Sequence, residues 1–286
     1  MKIIKSSSEM AAYSSEAASK GRGLTFVPTM GGLHEGHLKL TQEGRRLSAD
    51  GDLLVVSIFL NPTQFGPSED FSKYPKNDKE DLAKLEEAGV DLVFMPTVTD
   101  IYPKGFKTYV EVEGLSDKLC GQSRPGHFRG VATVVARLFG IVKPRRAVFG
   151  LKDYQQFVII KKMTEDLMLG LDIFGFKTVR EADGLAMSSR NAYLTEKERA
   201  VAGLLSKALL AGEKIFRRGS TSAKEILLGA EKIIEKESLV MVDYLKLCDP
   251  SSLEDLSVVT DRAVLLIAVR IGKARLIDNC ILERRP

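Results

Sequence analysis

The stretch FVPTMGGLHEGHL, residues 26–38, constrains the fold of this chain more strongly than any other. Residues 24–27 form the short apolar run that a parallel strand covered on both faces needs. Gly31 and Gly32 follow, and a backbone without Cβ atoms can come close to a bound ligand. A helix is predicted over about residues 36–47, and its free N–H groups and positive dipole end would attract phosphate. The stretch therefore predicts a strand, a ligand-binding turn and a helix N-terminus in direct succession.

His34 and His37 lie three residues apart, so on a helix they share one face and reach the same bound group. We interpret them as a pair that contacts phosphate. A zinc hydrolase motif needs histidines four residues apart, and His127 is the only other histidine of the chain, which argues against zinc without excluding it. Two ordinary surface histidines beside a helix start remain a third interpretation.

Charge and cysteine content indicate the compartment and the kind of partner. The net charge of +4 suits anionic small molecules, and the clustered basic stripe that is typical of nucleic-acid binding is missing. Cys120, Cys248 and Cys280 are odd in number and widely spaced, which fits a reducing cytoplasm better than a disulfide framework. No apolar run has the length of a membrane span, and the first residues lack a signal-peptide core. We therefore expect a cytoplasmic protein that binds neither nucleic acid nor membrane.

The order strand, polar loop, helix recurs along the first two thirds of the chain. Residues 53–60 predict a second buried strand, and the polar loop 61–67 stands at its carboxyl end, where open α/β sheets bind ligands. The loop continues to residue 75, and its length suggests a lid. Further helices are predicted over residues 78–89, 131–142 and 157–169, and further strands over residues 91–95, 107–112, 147–149 and 172–179. The repetition predicts an α/β fold with a doubly wound, Rossmann-like parallel sheet.

The pattern changes near residue 195. Two long amphipathic helices are predicted over residues 195–218 and 222–237, followed by strands over residues 240–247, 263–269 and 274–278. Thr195 and Glu198 have the spacing of a capping box at the start of the first helix. We expect a Rossmann-like domain over residues 1–179 and a smaller C-terminal α+β domain over residues 180–286.

Five motifs occur in order between residues 26 and 194: PTMGGLHEGH, FLNPTQFGPSEDFSKYP, SRPGHFRGVATVV, FGLKDYQQ and VREADGLAMSSRNAYL. Together they resemble the pantoate–β-alanine ligase family, nucleotidyltransferases related to class I aminoacyl-tRNA synthetases. Residues 34–37 are similar to the first ATP motif of that superfamily and residues 187–190 to the second. The resemblance implies that pantoate and Mg-ATP form pantoyl adenylate and pyrophosphate, and that β-alanine then gives pantothenate and AMP. It also implies Mg²⁺ and a homodimer.

The resemblance further implies a set of site residues. The ATP-binding residues are Met30, Gly31, Gly32, Leu33, His34, Glu35, Gly36, His37, Gly150, Leu151, Lys152, Asp153, Val179, Met187, Ser188, Ser189 and Arg190. Those with catalytic roles at the phosphates are His34, His37, Lys152, Ser188, Ser189 and Arg190. The substrate-binding residues are Gln64, Gln156, Asn61 and Arg124, with Tyr74 on the lid. No metal ligand is assigned, although Glu80 and Asp81 lie roughly where acids of the family approach the metal.

Two departures from the family pattern affect these expectations. Leu151 replaces a usual glutamate, which removes a charge beside Lys152 and leaves the orientation of that lysine open. Gly32 replaces a commoner alanine, which should be harmless in a turn that contacts ligand through its backbone.

Ordinary structural roles remain open for several of these residues. Asn61 is also a natural turn former before a proline, and Lys152 and Arg190 have the chemistry of solvated surface cations. Met30 and Met187 are either pocket walls or core methionines. An aminoacyl-tRNA synthetase would share both ATP motifs but should carry an anticodon-binding domain, for which the chain after Val179 is short. A nucleotide-binding module would keep the glycines and drop the substrate glutamines.

Overall fold

The computed structural model describes residues 1–66, 69 and 71–284. Within them the strands are β1 (Lys2–Ile4), β2 (Leu24–Thr29), β3 (Leu53–Ile58), β4 (Leu92–Phe94), β5 (Arg146–Gly150), β6 (Asp172–Phe176), β7 (Val240–Cys248), β8 (Arg262–Ile271) and β9 (Ala274–Glu283). The α-helices are α1 (Ser7–Ser19), α2 (Glu35–Leu47), α3 (Asp78–Glu87), α4 (Val98–Ile101), α5 (Cys120–Ser123), α6 (His127–Val142), α7 (Tyr154–Asp166), α8 (Glu196–Ala202), α9 (Leu204–Arg217) and α10 (Ala223–Ile234). Short 3-10 helices cover Pro62–Gln64, Phe71–Lys73, Leu151–Asp153 and Ser189–Tyr193.

Strands β1 to β6 form one parallel sheet in the order β1-β4-β3-β2-β5-β6. The direction in which successive strands are added reverses between β2 and β5. In open α/β sheets the crevice beyond the carboxyl ends of two such strands is where ligands bind. β2 ends at Thr29 and β5 ends at Gly150. The doubly wound parallel sheet predicted from the sequence is confirmed, and its topology places the crevice between the PTMGGLHEGH and FGLKDYQQ motifs.

Helices cover both faces of this sheet. Alternate residues of each central strand enter different cores, because successive side chains of a strand point to opposite faces. Phe26 and Val55 join the core that contains residues of α1, α6 and α7. Val27 and Val56 join the core that α2 and α3 complete on the other face. Strands β2 and β3 are therefore buried on both sides, which explains their nearly continuous apolar sequences.

Strands β7, β8 and β9 form a separate antiparallel sheet. Leu265 and Ile267 of β8 pack in the core that α9 and α10 complete. Val264 and Leu266, on the opposite face, belong to the same core as α6 and α7. This small sheet is thus sandwiched between its own helices and the first sheet, and the predicted α+β character of the C-terminal part is confirmed.

Residues 107–112 do not form the strand predicted for them. A strand needs a partner in register, and this segment lies along α6. The N–H group of Val110 donates to Oγ1 of Thr133, at 3.0 Å. The guanidinium of Arg129 covers the ring of Tyr109, 4.1 Å from its centroid. The alternation of residues that predicted a strand therefore reflects packing against one helix.

The single helix predicted over residues 195–218 is also wrong, because the structure breaks it into α8 and α9 at Gly203. A Cβ at Gly203 would stand 3.2 Å from Oδ2 of Asp183, which Arg199 binds through an ion pair. The predicted capping box of Thr195 and Glu198 is confirmed.

Other differences concern short elements and helix ends. Strand β1 and helix α1 were not predicted. Strand β1 has only three residues, and α1, rich in serine and alanine, buries Met10, Ser14 and Ala17, so neither carries a strong apolar pattern. The predicted lid is described only in part, since Pro67, Ser68 and Asp70 lie outside the described residues. Among the described residues, no helix combines the length and the apolar composition that a membrane crossing requires.

Candidate active site

The turn after β2 is held by two glycines and one buried carboxylate. Gly31 and Gly32 have φ values of +83° and +64°, in the left-handed region that favours glycine. The N–H groups of Gly32 and Leu33 each donate to one oxygen of Asp81, at 2.8 Å. A Cβ on Gly32 would stand 2.8 Å from the carbonyl oxygen of Pro75. The glycine expected to be harmless at position 32 is thus the residue that this close approach favours.

We expect the substitution Asp81→Asn to loosen this turn. An amide has one acceptor oxygen, so one of the two buried N–H groups would face another donor and lose its partner. The free energy of unfolding should fall by about 1–3 kcal/mol, as measured by urea denaturation. Asp78→Asn, at an exposed position in the first turn of the same helix, is the matched control. An Asp81→Asn variant as stable as that control would contradict the role of the carboxylate.

His34 and His37 cap the N-terminus of α2 with their own side chains. Nδ1 of His34 accepts a hydrogen bond from the N–H group of Gly36, at 3.1 Å. Nδ1 of His37 accepts one from the N–H group of His34, at 3.3 Å. A neutral imidazole then carries its proton on the other nitrogen, so each ring keeps an Nε2–H group that can donate to a bound anion. The ring centroids are 4.1 Å apart, and the two donors therefore lie side by side.

Burial keeps both rings neutral. Removal from water, and after it the charge of Lys152, lowers the pKa of His34 to about 4. Removal from water, and after it the neighbouring His34, lowers the pKa of His37 to about 3. At pH 7 the pair thus offers two hydrogen-bond donors of fixed tautomer at a helix N-terminus, an arrangement suited to phosphate oxygens.

Lys152 lies in the one-turn 3-10 helix that follows β5, on the other side of the crevice. Its Nζ atom is 3.7 Å from Oδ1 of Asp153, and its side chain is 19% exposed. Nδ2 of Asn279 in β9 donates to the carbonyl oxygens of Leu151 and Lys152, at 2.8 and 3.0 Å. The side chain of Leu151 packs against Gly175 in β6, where a Cβ would stand 2.6 Å from Cδ2 of Leu151. The unusual leucine therefore packs on the sheet, and Asp153 is the carboxylate beside the lysine.

The loop over residues 187–190 is tied to two distant parts of the chain. On the segment that leads into it, Arg180, which forms a β-bridge with Ala186, donates to both carboxylate oxygens of Asp278 in β9, at 2.6 and 3.0 Å. At its end Oγ of Ser189 donates to Oη of Tyr74, at 3.3 Å. The C-terminal sheet and the 3-10 segment near Tyr74 together position this loop over the crevice.

Gln64 is held at the cavity wall by a network around Asn61. Nδ2 of Asn61 donates to Oε1 of Gln64 and to the carbonyl oxygen of Gly130, both at 3.1 Å. Oδ1 of Asn61 accepts hydrogen bonds from Tyr102 and from Oγ1 of Thr63, both at 2.9 Å. A Cβ on Gly130 would stand 2.4 Å from the carbonyl oxygen of Thr63, so glycine is what allows α6 to approach this turn. The amide of Asn61 is therefore engaged by the protein and orients Gln64.

Arg124 forms a two-point ion pair with Glu69, with N···O distances of 2.6 and 2.7 Å. Its Nη1 donates to Nε2 of His127 at 2.9 Å, and Nδ1–H of His127 donates to the carbonyl oxygen of Gln64 at 2.7 Å. Burial, and after it the charge of Arg124, lowers the pKa of His127 to about 4. A neutral His127 can accept from the guanidinium and donate to the backbone at the same time.

These elements meet in one cavity of about 220 Å³ at the β2–β5 crevice. The predicted site residues that line it are Met30, His34, Gly36, His37, Asn61, Gln64, Arg124, Gly150, Lys152, Asp153, Gln156, Val179, Met187, Ser188, Ser189 and Arg190, together with Tyr74. A second cavity of about 590 Å³ adjoins it. The residues that line both cavities are Arg124, His127, Lys152, Asp153, Gln156, Ser188 and Arg190.

Five predicted residues do not line the first cavity: Gly31, Gly32, Leu33, Glu35 and Leu151. The two glycines shape the turn, and Leu33 is buried in the core beneath it. Glu35 lies at the surface, where its carboxylate is 3.5 Å from Nζ of Lys39.

The family model described as pantoate-beta-alanine ligase matches residues 2–281 of this chain. The chain belongs to the pantoate–β-alanine ligase family. Pantothenate synthetase of Syntrophus aciditrophicus (strain SB) is 50% identical over 279 residues, which cover 98% of this chain and 96% of that protein. Pantothenate synthetase of Acetivibrio thermocellus is 48% identical over 283 residues, which cover 99% of this chain and 100% of that protein.

Solved structures of ligases from this family have the same fold. Pantothenate synthetase from Thermus thermophilus superposes with a TM-score of 0.93 at 43% identity, covering 99% of this chain and 100% of that one. Pantoate-beta-alanine ligase from Francisella tularensis, complexed with beta-gamma ATP and β-alanine, superposes with a TM-score of 0.78 at 33% identity. That match covers 100% of this chain and 99% of the Francisella ligase. The resemblance seen in the five motifs is confirmed.

Sequence reasoning missed three residues of this ligase that structure the site: Glu69, His127 and Asn279. Glu69 and His127 lie inside quoted motifs, so their position there was an available signal. Asn279 carries none, because it lies in β9, far along the chain from the turn whose carbonyl groups it binds.

Proposed function

We infer that this chain is an ATP-dependent pantoate–β-alanine ligase. It condenses pantoate with β-alanine to pantothenate through a pantoyl adenylate, and it releases pyrophosphate and AMP. The observation that carries this inference is the convergence of all five family motifs on one crevice between β2 and β5. The Francisella relative, complexed with an ATP compound and β-alanine, supports the same substrates.

A direct assay tests this function. Incubation with ATP, pantoate and β-alanine should give AMP and pantothenate in equal amounts. Both products are measured by chromatography. Formation of ADP would contradict an adenylate mechanism. Activity that disappears with a zinc chelator and returns with zinc would favour a metallohydrolase.

In the first step we propose that the nucleotide phosphates lie between α2 and the turn after β5. A carboxylate oxygen of pantoate attacks the α-phosphorus, the bond to the bridging oxygen breaks, and pyrophosphate leaves. The Nε2–H groups of His34 and His37 face this charge from one side, and Lys152 faces it from the other. Such transfers depend on positioning and charge stabilisation, which need no covalent nucleophile of the protein. From the loop over residues 187–190, Ser188, Ser189 and Arg190 complete the phosphate contacts.

We propose that Gln64 and Gln156 bind pantoate. Pantoate offers hydroxyl groups and a carboxylate, and a neutral amide can donate to one and accept from the other. Gln64 is oriented by Asn61, and Gln156 stands in the first turn of α7. Asn61 thus acts on the substrate through Gln64.

The Gln156→Ala variant should lower kcat/KM for pantoate by about 10- to 100-fold, because a substrate hydroxyl would be buried without its partner. The KM for ATP should change little. Gln155→Ala is the matched contrast, since the Gln155 amide donates to the carbonyl oxygens of Leu115 and Lys118, both at 2.8 Å. The Gln155→Ala variant should have a lower Tm than the wild type. The ratio of its kcat/KM for pantoate to its kcat/KM for ATP should be unchanged. Wild-type kcat/KM for pantoate in Gln156→Ala would remove this residue from the site.

In the second step we propose that the amine of β-alanine attacks the carbonyl carbon of the adenylate beside Gln64. The bond from that carbon to the AMP oxygen breaks, and the nitrogen loses a proton. Arg124 lines both cavities, and its guanidinium has the chemistry to bind the carboxylate of the amino acid.

We propose that Mg²⁺ enters with the nucleotide. Mg²⁺ in nucleotide enzymes is held largely by phosphates and waters, with one or two carboxylates. In the described part of the chain no group of three or more His, Cys, Asp or Glu residues is placed to hold a metal ion. Both oxygens of Asp81 accept backbone N–H groups, and Glu80 pairs with Lys84 at 2.6 Å. Both acids are thus engaged within the protein. This fits a cation that arrives bound to the nucleotide phosphates and neutralises their charge.

We also propose a homodimer in the cytoplasm, with domains over residues 1–179 and 180–286, and no binding of nucleic acid. Cys120, Cys248 and Cys280 are all free thiols, which supports a reducing compartment. The separate sheet of β7 to β9 supports the domain division. Light scattering on a sizing column tests the dimer.

A further inference from the structure

The guanidinium of Arg124 already holds a carboxylate of its own chain. Nε and Nη2 donate to the two oxygens of Glu69 in the parallel, two-point arrangement with which arginine binds a carboxylate ligand. The side chains of Arg124 and Glu69 are only 13% and 22% exposed. Burial is the largest single influence and raises the pKa of the Glu69 carboxyl, but the hydrogen bonds and charge of Arg124 and the backbone N–H group of Gly66 together lower that pKa overall. Glu69 is therefore ionised and bound at pH 7.

This ion pair stands where the amino-acid substrate must reach. Arg124 lines both cavities and Glu69 lines the second. Nη2 of Arg124 lies 3.3 Å from the carbonyl oxygen of Gln64, the residue beside which the amine attacks in the proposed second step. β-Alanine carries its amine and its carboxylate two methylene groups apart. An amine near Gln64 thus brings the carboxylate to the neighbourhood of Arg124.

Three other cations of the second cavity have partners or roles of their own. Arg275 and Arg270 both bind the carboxylate of Asp243, at 2.7 and 3.2 Å. Lys152 belongs to the phosphate side of the site. Arg124 is the cation in contact with the Gln64 backbone, and its carboxylate partner comes from the loop after β3.

We propose that Glu69 is an internal stand-in for the carboxylate of the amino-acid substrate. Before the amino acid binds, Glu69 neutralises a guanidinium that would otherwise be a buried, unpaired charge. β-Alanine then displaces the Glu69 carboxylate and takes over both hydrogen bonds. This rests on the proposed function, because it assumes that an amine attacks beside Gln64. Since each binding event breaks the internal pair, Glu69 weakens the apparent affinity for β-alanine.

The rest of the network keeps Arg124 in place during this exchange. Nε2 of His127 and the carbonyl oxygen of Gln64 accept from the other N–H groups of the guanidinium, at 2.9 and 3.3 Å. His127 is neutral and adds no second charge to compete for the incoming carboxylate. It is a positioning residue for both Arg124 and Gln64.

The substitution Glu69→Gln tests the proposal, because it keeps the shape of the side chain and removes the competing charge. We expect the KM for β-alanine to fall about tenfold, because the internal pair no longer lowers the fraction of Arg124 that is free to bind the substrate carboxylate. Pantoate-dependent exchange of pyrophosphate into ATP, which reports the first step alone, should stay at the wild-type rate. Glu43→Gln is the matched control, since Glu43 holds Arg46 in the same two-point geometry, at 2.6 and 2.7 Å, on the surface of α2.

A second amine separates competition for the carboxylate site from a general loosening of the loop. 3-Aminopropan-1-ol has the amine of β-alanine and no carboxylate, so it cannot displace Glu69. Its rate should be the same in wild type and in Glu69→Gln. An equal gain for both amines, or a β-alanine KM that stays or rises in Glu69→Gln, would overturn the stand-in role. Absence of pyrophosphate exchange in the wild-type protein would instead overturn the proposed function.

Discussion

The Lys152→Ala variant is expected to lose about 10²- to 10³-fold in turnover while it still binds ATP, the scale of one positioned electrostatic donor. Lys152 stands at the carboxyl end of β5, facing the histidine pair across the crevice. Negative charge grows on the phosphate oxygens as pyrophosphate departs, and a donor fixed there interacts most strongly with the transition state. Single-turnover release of pyrophosphate measures the step, and equilibrium titration measures ATP affinity.

Lys161→Ala is the control for this experiment. Lys161 is 55% exposed on α7, lies 3.9 Å from Glu165 and lines neither of the two cavities, so its removal should leave turnover unchanged. The opposite pattern, in which ATP affinity collapses and turnover at saturation survives, would make Lys152 a ground-state anchor.

The His37→Ala variant is expected to lower the pantoate-dependent exchange of pyrophosphate into ATP by about 10²-fold. The substitution removes an Nε2–H donor, and it also deprives the N–H group of His34 of its partner. Transfer of a supplied pantoyl adenylate to β-alanine should suffer much less, because the pyrophosphate charge has already left. Lys39→Ala, 45% exposed on the same helix, is the control. Equal damage to both half-reactions would indicate that the pair only supports the turn.

A second substitution at position 37 tests the neutral state of the ring. The folded protein lowers the pKa of His37 from 6.5 to about 3 and that of His34 to about 4. Below pH 6.5 the unfolded chain therefore binds protons that the folded chain does not, and the free energy of unfolding falls as the pH drops towards 4. A His37→Gln variant should show a flatter fall over this range. An unchanged slope would contradict the buried neutral ring.

The sequence was informative where local pattern and local structure coincide. Residues 24–27 and 53–60 were predicted as buried strands, and β2 and β3 occupy them almost completely. Both strands are covered on two faces, so their sequences are almost entirely apolar. Gly31 and Gly32 predicted the turn, since few other residues adopt its left-handed backbone.

The same reasoning failed where a pattern depends on its neighbours. Residues 107–112 alternate like a strand but have α6 beside them instead of a strand in register. Residues 195–218 have one helical period, but the structure divides them at Gly203, beside Asp183, whose carboxylate Arg199 binds. Periodicity reports which side of an element is buried and not what buries it.

By itself, the sequence determined the family, the parallel sheet and the motif residues, because the chemistry of phosphate binding concentrates at strand ends and helix starts within a few residues. Only the tertiary structure decided how these residues are held. Asn279 fixes the turn of Lys152, and Asp278 binds Arg180 on the segment that leads into the 187–190 loop, from a strand about a hundred residues away or more. Glu69 occupies Arg124 through a contact between two loops. Such contacts join residues far apart in the chain, and they exist only once both sheets have packed together, so no local pattern encodes them.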